Sequence, residues 1–495
     1  MQTTIQSGER VKFQGGKMSS SAYDTAWTAR ITNESGDPLF PECIQWLLAN
    51  QHADGSWGSQ IVNYHDRIIN TLSAIMALKE RVPKYESQIR RGETYIWETI
   101  RNLEQEKLKL VGSELLLPSL MEQAETLSLD LPYHVNVYQK EYQRKLSKID
   151  ETLWYSPLTT LSHSLEFLGD CVDVNQLSNT VLPYGCIGNS PAATAFYLKH
   201  RKDTKVFMFL RKILDVMGDG SVMTVYPIEI FEYGWILYNL MLAGMYFEIY
   251  TEICDFLHTY FMPSGVGMSV GYPVSDFDDT MIWCKILYEM HYPVDFKILD
   301  AYDCGDYYLT YLSELDPSVG TNIHVLDFVR SCPEFPERET VTEKLIEYLE
   351  REMHPTGFWV DKWHVSPYYA TSHAVFALCD VNPCLAEKAV SWILSSQKEN
   401  GLWGENGGTL EETACAVQAL MYYHQHVERM DMAILSEAVS ALNRASFTCS
   451  PSDLPDLWMG KVLYTPVRIT LSSIASAQFM ARMGKLQMSS QVYSF

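Results

Sequence analysis

Three carboxylates stand within four residues in the stretch SDFDDT, as Asp276, Asp278 and Asp279. Two kinds of chemistry suit that spacing. At the start of a helix, Asp complements the N-terminal dipole, and Ser275 is placed to cap the apolar run over 281–290. In a water-poor pocket, carboxyl groups this close cannot all ionise. At least one then keeps its proton and remains an acid at neutral pH. The choice depends on the elements that carry the motif.

Those elements announce themselves by repetition. Residues 46–58 read WLLANQHADGSWG and residues 392–404 read WILSSQKENGLWG, with Trp, Leu, Gln, Gly, Trp and Gly at identical offsets. A third copy, around GFW at 357–359, lacks the Gln. Each is followed by a segment of the form T-x-x-A-[IV]-x-A-L: TLSAIMAL from Thr71, TSHAVFAL from Thr371 and TACAVQAL from Thr413. The spacing predicts a helix, a Gly-containing turn whose Trp stacks between helix ends, and a second helix with a small-residue face. Such hairpins bury their apolar faces only against one another, so they close into α/α barrels. Widely separated copies imply two barrels. Strand-like alternation never persists, and the fold class is all-α.

Composition narrows the partners. The 38 Lys and Arg against 61 Asp and Glu leave a formal charge of −23, without a basic run. Nucleic acid is therefore excluded as a partner. A small polyanionic substrate is compatible, because one local basic pocket or a Mg²⁺ ion suffices. The 30 Tyr, 19 Phe and 12 Trp either fill a helical core or line an apolar cavity. Residues 1–12 are polar and lack the apolar core of a signal peptide. The longest strongly apolar stretch, 235–247, contains Asn239 and is about half a membrane span in length. The 11 cysteines show no C-x-x-C pair and read as reduced thiols. The expectation is a cytoplasmic protein without stable membrane insertion.

Several blocks, in order along the chain, resemble one family. The repeated turns are similar to the QW motif of terpene cyclases. SAYDTAW (21–27), HDRIINTLSAIMAL (65–78), ELLLPSLMEQAETLSLDLPY (114–133), SPAATAF (190–196) and YPIEIFEYGW (226–235) resemble signatures of class II diterpene cyclases. SDFDDT sits among them where that family carries its D-x-D-D acid. The resemblance implies a βγ didomain: residues 1–34 as the first helix segment of the β domain, 35–221 as an inserted γ barrel, and 222–495 as the rest of β. It implies protonation of the terminal alkene of a prenyl diphosphate, foremost geranylgeranyl diphosphate, with the diphosphate retained. Family members that also ionise the diphosphate carry a third domain with DDxxD, a motif absent here. A separate class I terpene synthase is then the expected downstream partner.

The same resemblance distributes roles. Asp278 is the proton donor, tuned by Asp276 and Asp279. The family places an Asn or His partner about 46 residues on, where His324 stands, with Asn322 as the other candidate. A His in that place is either this partner or a hydrogen-bonded core residue. Trp283, Trp363, Tyr368 and Tyr369 are the candidate cavity aromatics, whose faces would stabilise a carbocation. Glu114 is the Mg²⁺ candidate, and Lys362 and Arg67 are candidate diphosphate contacts.

The chain departs from the plant copalyl pattern at its terminating base. Plant ent-copalyl diphosphate synthases pair a His in LHS with an Asn in PNV. Here SHS retains His163, whereas the PNV position reads Met223-Thr224-Val225. His163 either orients a water or packs in the core. Loss of the Asn implies a longer-lived bicyclic cation and rearranged halimane or clerodane (kolavenyl) skeletons. DKWHVSPYYATSH (361–373) and LWMGKVLYTP (457–466) resemble the bacterial halimadienyl branch. The alternatives are an unrearranged copalyl diphosphate, or a drimenyl diphosphate made from farnesyl diphosphate. More distant ones are a squalene–hopene-type cyclase, an (α/α) barrel glycosidase with paired acids, and a non-catalytic toroid. SAYDTAW and DRIINTL speak against the glycosidase, and the intact D-x-D-D against the toroid.

Overall fold

The computed structural model describes residues 15–492 apart from 82–83, 136–137, 313, 315, 406 and 449–452. The repeated turns are built alike in three places. The indoles of Trp57, Trp359 and Trp403 are fully buried. Each Nε1 donates to the carbonyl ten residues earlier, on Leu47, Leu349 and Ile393, at 2.7–2.8 Å. Each Trp backbone N–H donates to a Thr hydroxyl of the following helix, Thr71, Thr371 or Thr413. Gln51 and Gln397 add a second tie. Their amides donate to Gly55 O and Gly401 O within the turn, and to Gln88 O and Ile434 O of a neighbouring element. The copy at Trp359 has Met353 in place of the Gln and does without it. Gly55 must be glycine: its φ is +92°, and a Cβ there would stand 2.5 Å from Arg91 O.

These hairpins close two rings. In the C-terminal half, helices Glu229–Leu242, Phe277–Glu289, Val319–Ser331, Pro367–Leu378, Leu410–His426 and Val467–Val492 each pack on the next, and the last returns to the first. Helices Ile249–Tyr260, Arg338–Glu352, Pro383–Ser395 and Ser436–Thr448 lie outside them. Being enclosed, an inner helix buries every face: all residues from Tyr368 to Leu378 are buried. The small residues of the repeat, among them Ala374, Ala377, Ala416 and Ala419, allow the close approach. In the N-terminal half, Ala22–Ala29, Tyr64–Lys79, Ser113–Thr126, the irregular 3-10 segment Thr160–Cys171 and Pro191–His200 form a second closed ring.

The Ala22–Ala29 helix packs in this N-terminal ring, whereas the resemblance implied that 1–34 starts the C-terminal barrel. Residues 15–19 do reach across: Ile228 N–H donates to Gly15 O, Lys17 N–H to Glu232, and Ser19 N–H to Thr465 O. Any earlier helix would fall in residues 1–14, outside the described residues. We propose 20–223 and 229–492 as the two units. Among the described residues the strands are two short antiparallel ladders. Ser20–Ser21 pairs with Val222–Met223, and Trp458–Met459 with Leu463–Tyr464. The second forms a hairpin wedged between the rings, with Val462 buried in the N-terminal core.

Candidate active site

The acid motif opens the Phe277–Glu289 helix of the C-terminal ring. Asp276, not the expected Ser275, is the N-cap: its Oδ1 accepts from the N–H groups of Asp278 at 2.9 Å and Asp279 at 3.2 Å. Ser275 instead shares a hydrogen bond with Ser264. Asp276 Oδ2 accepts from Tyr311 OH at 2.5 Å, so donors occupy both of its oxygens. Asp279 is buried, and its Oδ1 accepts from Trp235 Nε1 at 3.0 Å. Asp278 Oδ1 lies 2.5 Å from His324 Nδ1, and its side chain is 14% exposed. Its Oδ2 makes no hydrogen bond among the described residues. The cap reading holds for Asp276, which opens the helix that presents Asp278.

Burial pushes the carboxyl of Asp276 up, and the nearby Asp278 pushes it further. Burial, then Asp276 and Asp278, hold Asp279 well above the ordinary carboxylate range. Asp276 and Asp279, buried side by side, resist ionisation together and retain protons.

His324, on Val319–Ser331, is the residue that reaches the acid. Asn322 does not: its amide is spent on Tyr308 N, Tyr308 O and Ser318 O, latching the preceding loop to the helix. Beyond His324 stands His373, whose Nδ1 lies 2.7 Å from His324 Nε2.

Of the expected cavity aromatics, two surround the acid and two do not. Tyr369 stacks on His364 at 4.6 Å and meets Trp458 at 5.1 Å. Burial, followed by the charge of Asp278, holds its phenol well up. Trp363 packs edge-on to Tyr311, the phenol that holds Asp276, and its buried Nε1 has no partner. Trp283 faces away. Its Nε1 donates to Ile230 O, and a Cβ on Gly234 would stand 2.7 Å from that nitrogen. The ring thus seats one helix against the next. Tyr368 turns outward onto Trp392. The inward places belong instead to Trp235, whose ring lies 5.0 Å from His324 and 6.0 Å from Trp458.

The candidate cations are engaged within the chain. Lys362 pairs with Glu314 and donates to Asp316 O at 2.5 Å. Arg67 lies beneath the first QW turn, donating to Ser56 Oγ at 2.6 Å and 3.7 Å from Asp54. Glu114 is ion-paired with Lys145. Among the described residues no three His, Cys, Asp or Glu converge as metal ligands. The side chains present do not form a ready Mg²⁺ cage, and no step below passes through a metal.

His163 donates its Nδ1–H to Gly188 O at 2.8 Å. Burial, and then the Lys461 ammonium, pull its imidazole down to about 3, so the ring is neutral. Thr224 is buried and its hydroxyl has no partner. The two flank one turn: Gly188 holds His163, and Asn189 O accepts from Tyr226 N, two residues beyond Thr224.

The sequence reading missed Lys461. Its ammonium is fully buried and donates to Glu166, Ser190 Oγ and His163 O at 2.6, 2.6 and 2.9 Å. The same hairpin sends Trp458 Nε1 to Glu411 at 2.8 Å and Leu463 N to Asp66 at 2.8 Å. The only signal was an isolated Lys in an apolar stretch. No helix among the described residues is long and apolar enough to cross a membrane.

Comparison with known proteins agrees with this geometry. Residues 313–426, which hold His324 and His373, match the squalene-hopene cyclase C-terminal domain. The ent-copalyl diphosphate synthase of Streptomyces platensis superposes with a TM-score of 0.79 at 25% identity, covering 94% of this chain and 96% of that one. A (-)-kolavenyl diphosphate synthase of Tripterygium wilfordii is 32% identical over 71% of this chain, which spans 44% of that longer plant protein. The type B diterpene cyclase of Mycobacterium tuberculosis is 30% identical over 94% of this chain and 96% of its own length. With a relative of that identity matched nearly end to end, and an acid cluster built as described, the chain belongs to the class II diterpene cyclase family.

Proposed function

We propose that this cyclase takes geranylgeranyl diphosphate and returns a bicyclic, rearranged diterpenyl diphosphate of halimane or clerodane (kolavenyl) type. The observation that carries the reading is the state of Asp278. One oxygen is held by His324, and the other has no hydrogen-bond partner among the described residues, on a partly accessible side chain. The proton on that free oxygen passes to the terminal alkene carbon, whose π electrons form the new C–H bond. The tertiary cation left behind is attacked by the internal alkenes in turn, closing two rings. Faces of Trp363, Tyr369 and Trp458 stabilise the moving charge by about 0.5–2 kcal/mol each. Hydride and methyl shifts follow, and a water takes a proton from a C–H bond beside the final cation, the electrons of that bond forming the ring alkene. No C–O bond to the diphosphate breaks.

Lys362 and Arg67 are the proposed diphosphate contacts, each leaving its present carboxylate, Glu314 or Asp54, to make them. Mg²⁺ enters this proposal only as a counter-ion carried in by the diphosphate, beside Glu114. A separate class I synthase is the proposed consumer of the product. A second reading, early deprotonation to a copalyl-type product, draws on His163, whose neutral ring donates through Nδ1 to Gly188 O and so carries its lone pair on Nε2.

The test is incubation of the purified enzyme with geranylgeranyl or farnesyl diphosphate, then phosphatase treatment and mass analysis of the alcohols. A rearranged bicyclic C20 alcohol, without release of stoichiometric pyrophosphate, is expected. Turnover of farnesyl diphosphate alone would move the substrate to C15, and pyrophosphate release would reject the reading.

A further inference from the structure

The imidazole of His373 is held where the reaction has no evident use for it. It projects from Pro367–Leu378 at the third position of the T-x-x-A repeat, where the other copies carry Ser73 and Cys415. It is enclosed by the rings of Tyr369 at 4.5 Å, Phe376 at 5.5 Å, Tyr238 at 5.6 Å and Trp235 at 5.8 Å. The titratable groups around it are His324, Asp327, His364 and the phenols of Tyr238 and Tyr369. Among the described residues its one hydrogen bond joins Nδ1 to His324 Nε2.

A neutral imidazole carries a single N–H, and the partner of one nitrogen decides where the proton of the other sits. His324 bridges Asp278 and His373. With its proton on Nδ1, it donates to Asp278 Oδ1, and the carboxyl's own proton must sit on Oδ2, the oxygen free to meet an alkene. With the proton on Nε2, Nδ1 becomes an acceptor and draws the Asp278 proton onto Oδ1, away from substrate.

We propose that His373 is a positioning residue that donates its Nδ1–H to His324 Nε2 and thereby fixes the tautomer that leaves the Asp278 proton on the reactive oxygen. This rests on Asp278 being the proton donor of the proposed function. Burial, and then the neighbouring His324, hold His373 well below the ordinary imidazole range, so it stays neutral beside the cluster. After proton transfer, the same His324 N–H donates to the carboxylate formed.

The test compares His373→Leu, which removes the donor, with His373→Asn, whose amide keeps an N–H close to the Nδ1 position. Steady-state kinetics with geranylgeranyl diphosphate are measured. His373→Leu should lower kcat by roughly 100-fold with KM little changed, a share of what a general acid contributes. His373→Asn should recover most of that loss. Should His373→Leu fail to fold, His373→Asp, an acceptor without the N–H, replaces it against His373→Asn. Loss confined to KM, or equal impairment of the donor and non-donor variants, would overturn the proposal. Asp278→Asn run alongside separates the failures. If it turns over, the acid assignment falls; if it is inactive while His373→Leu behaves as wild type, only the tautomer inference falls.

Discussion

The ammonium of Lys461 lies 2.6 Å from the carboxylate of Glu166, and neither side chain touches water. The pair joins the C-terminal hairpin to the N-terminal ring at the segment that carries His163. Tyr23 OH donates to the same Glu166 oxygen at 2.8 Å. Removing one partner strands a buried charge, which costs about 3–5 kcal/mol. Lys461→Met should therefore lower stability by that order in urea unfolding, and adding Glu166→Gln should restore more than half. A loss below about 1 kcal/mol would mean that the two rings do not depend on this pair.

Asp278→Asn should abolish cyclisation while leaving the fold and substrate binding intact. The amide keeps the shape and an oxygen towards His324 but has no acidic proton. General acids contribute about 10²–10⁴-fold to rate, and an unactivated alkene has no other proton source in this arrangement. Product formation above a tenth of wild type would reject the assignment.

Stability should fall as pH rises, against the usual trend for carboxylates. The folded-state pKa values of Asp276 and Asp279 lie above the unfolded value, chiefly through burial. The native protein thus holds protons that the unfolded chain releases. That stabilisation is complete below about pH 4 and is lost as pH rises through the raised values. Asp279→Asn cannot ionise and keeps an oxygen for Trp235 Nε1. Its stability between about pH 5 and about pH 8 should be flatter than wild type. Parallel curves in thermal unfolding would show that Asp279 is not a source of the slope.

Thr224→Asn should divert part of the product towards an unrearranged copalyl-type skeleton. Thr224 is buried with an unpartnered hydroxyl, and its shorter reach cannot hold a water where an Asn would. His163, neutral and oriented by Gly188 O, should be required for the diversion. Dephosphorylated products of wild type, Thr224→Asn and the Thr224→Asn/His163→Ala double variant decide it. A wild type already yielding pure copalyl diphosphate ends the argument from Thr224.

What the sequence determined by itself is local. The Trp and Thr of each turn, and the Gln and Gly of two of them, bond within 14 residues of one another, so their spacing is visible as a repeat and dictates helical hairpins. The helix start at the acid motif is as local, with cap bonds reaching two and three residues ahead to Asp278 and Asp279, yet the sequence offered Ser275 as the cap and only the backbone path assigned it to Asp276. His324 was legible only through family spacing, because 46 residues of chain carry no physical signal of contact. Ring closure decided the rest. It turns Trp235 inward and Trp283 onto the neighbouring helix, although both are aromatics on apolar helices. It spends Asn322 on a loop, sets His373 behind His324, and brings Lys461 to Glu166 across 295 residues. Which face of a fully buried helix meets a cavity depends on what packs against every other face, and that is a property of the closed barrel.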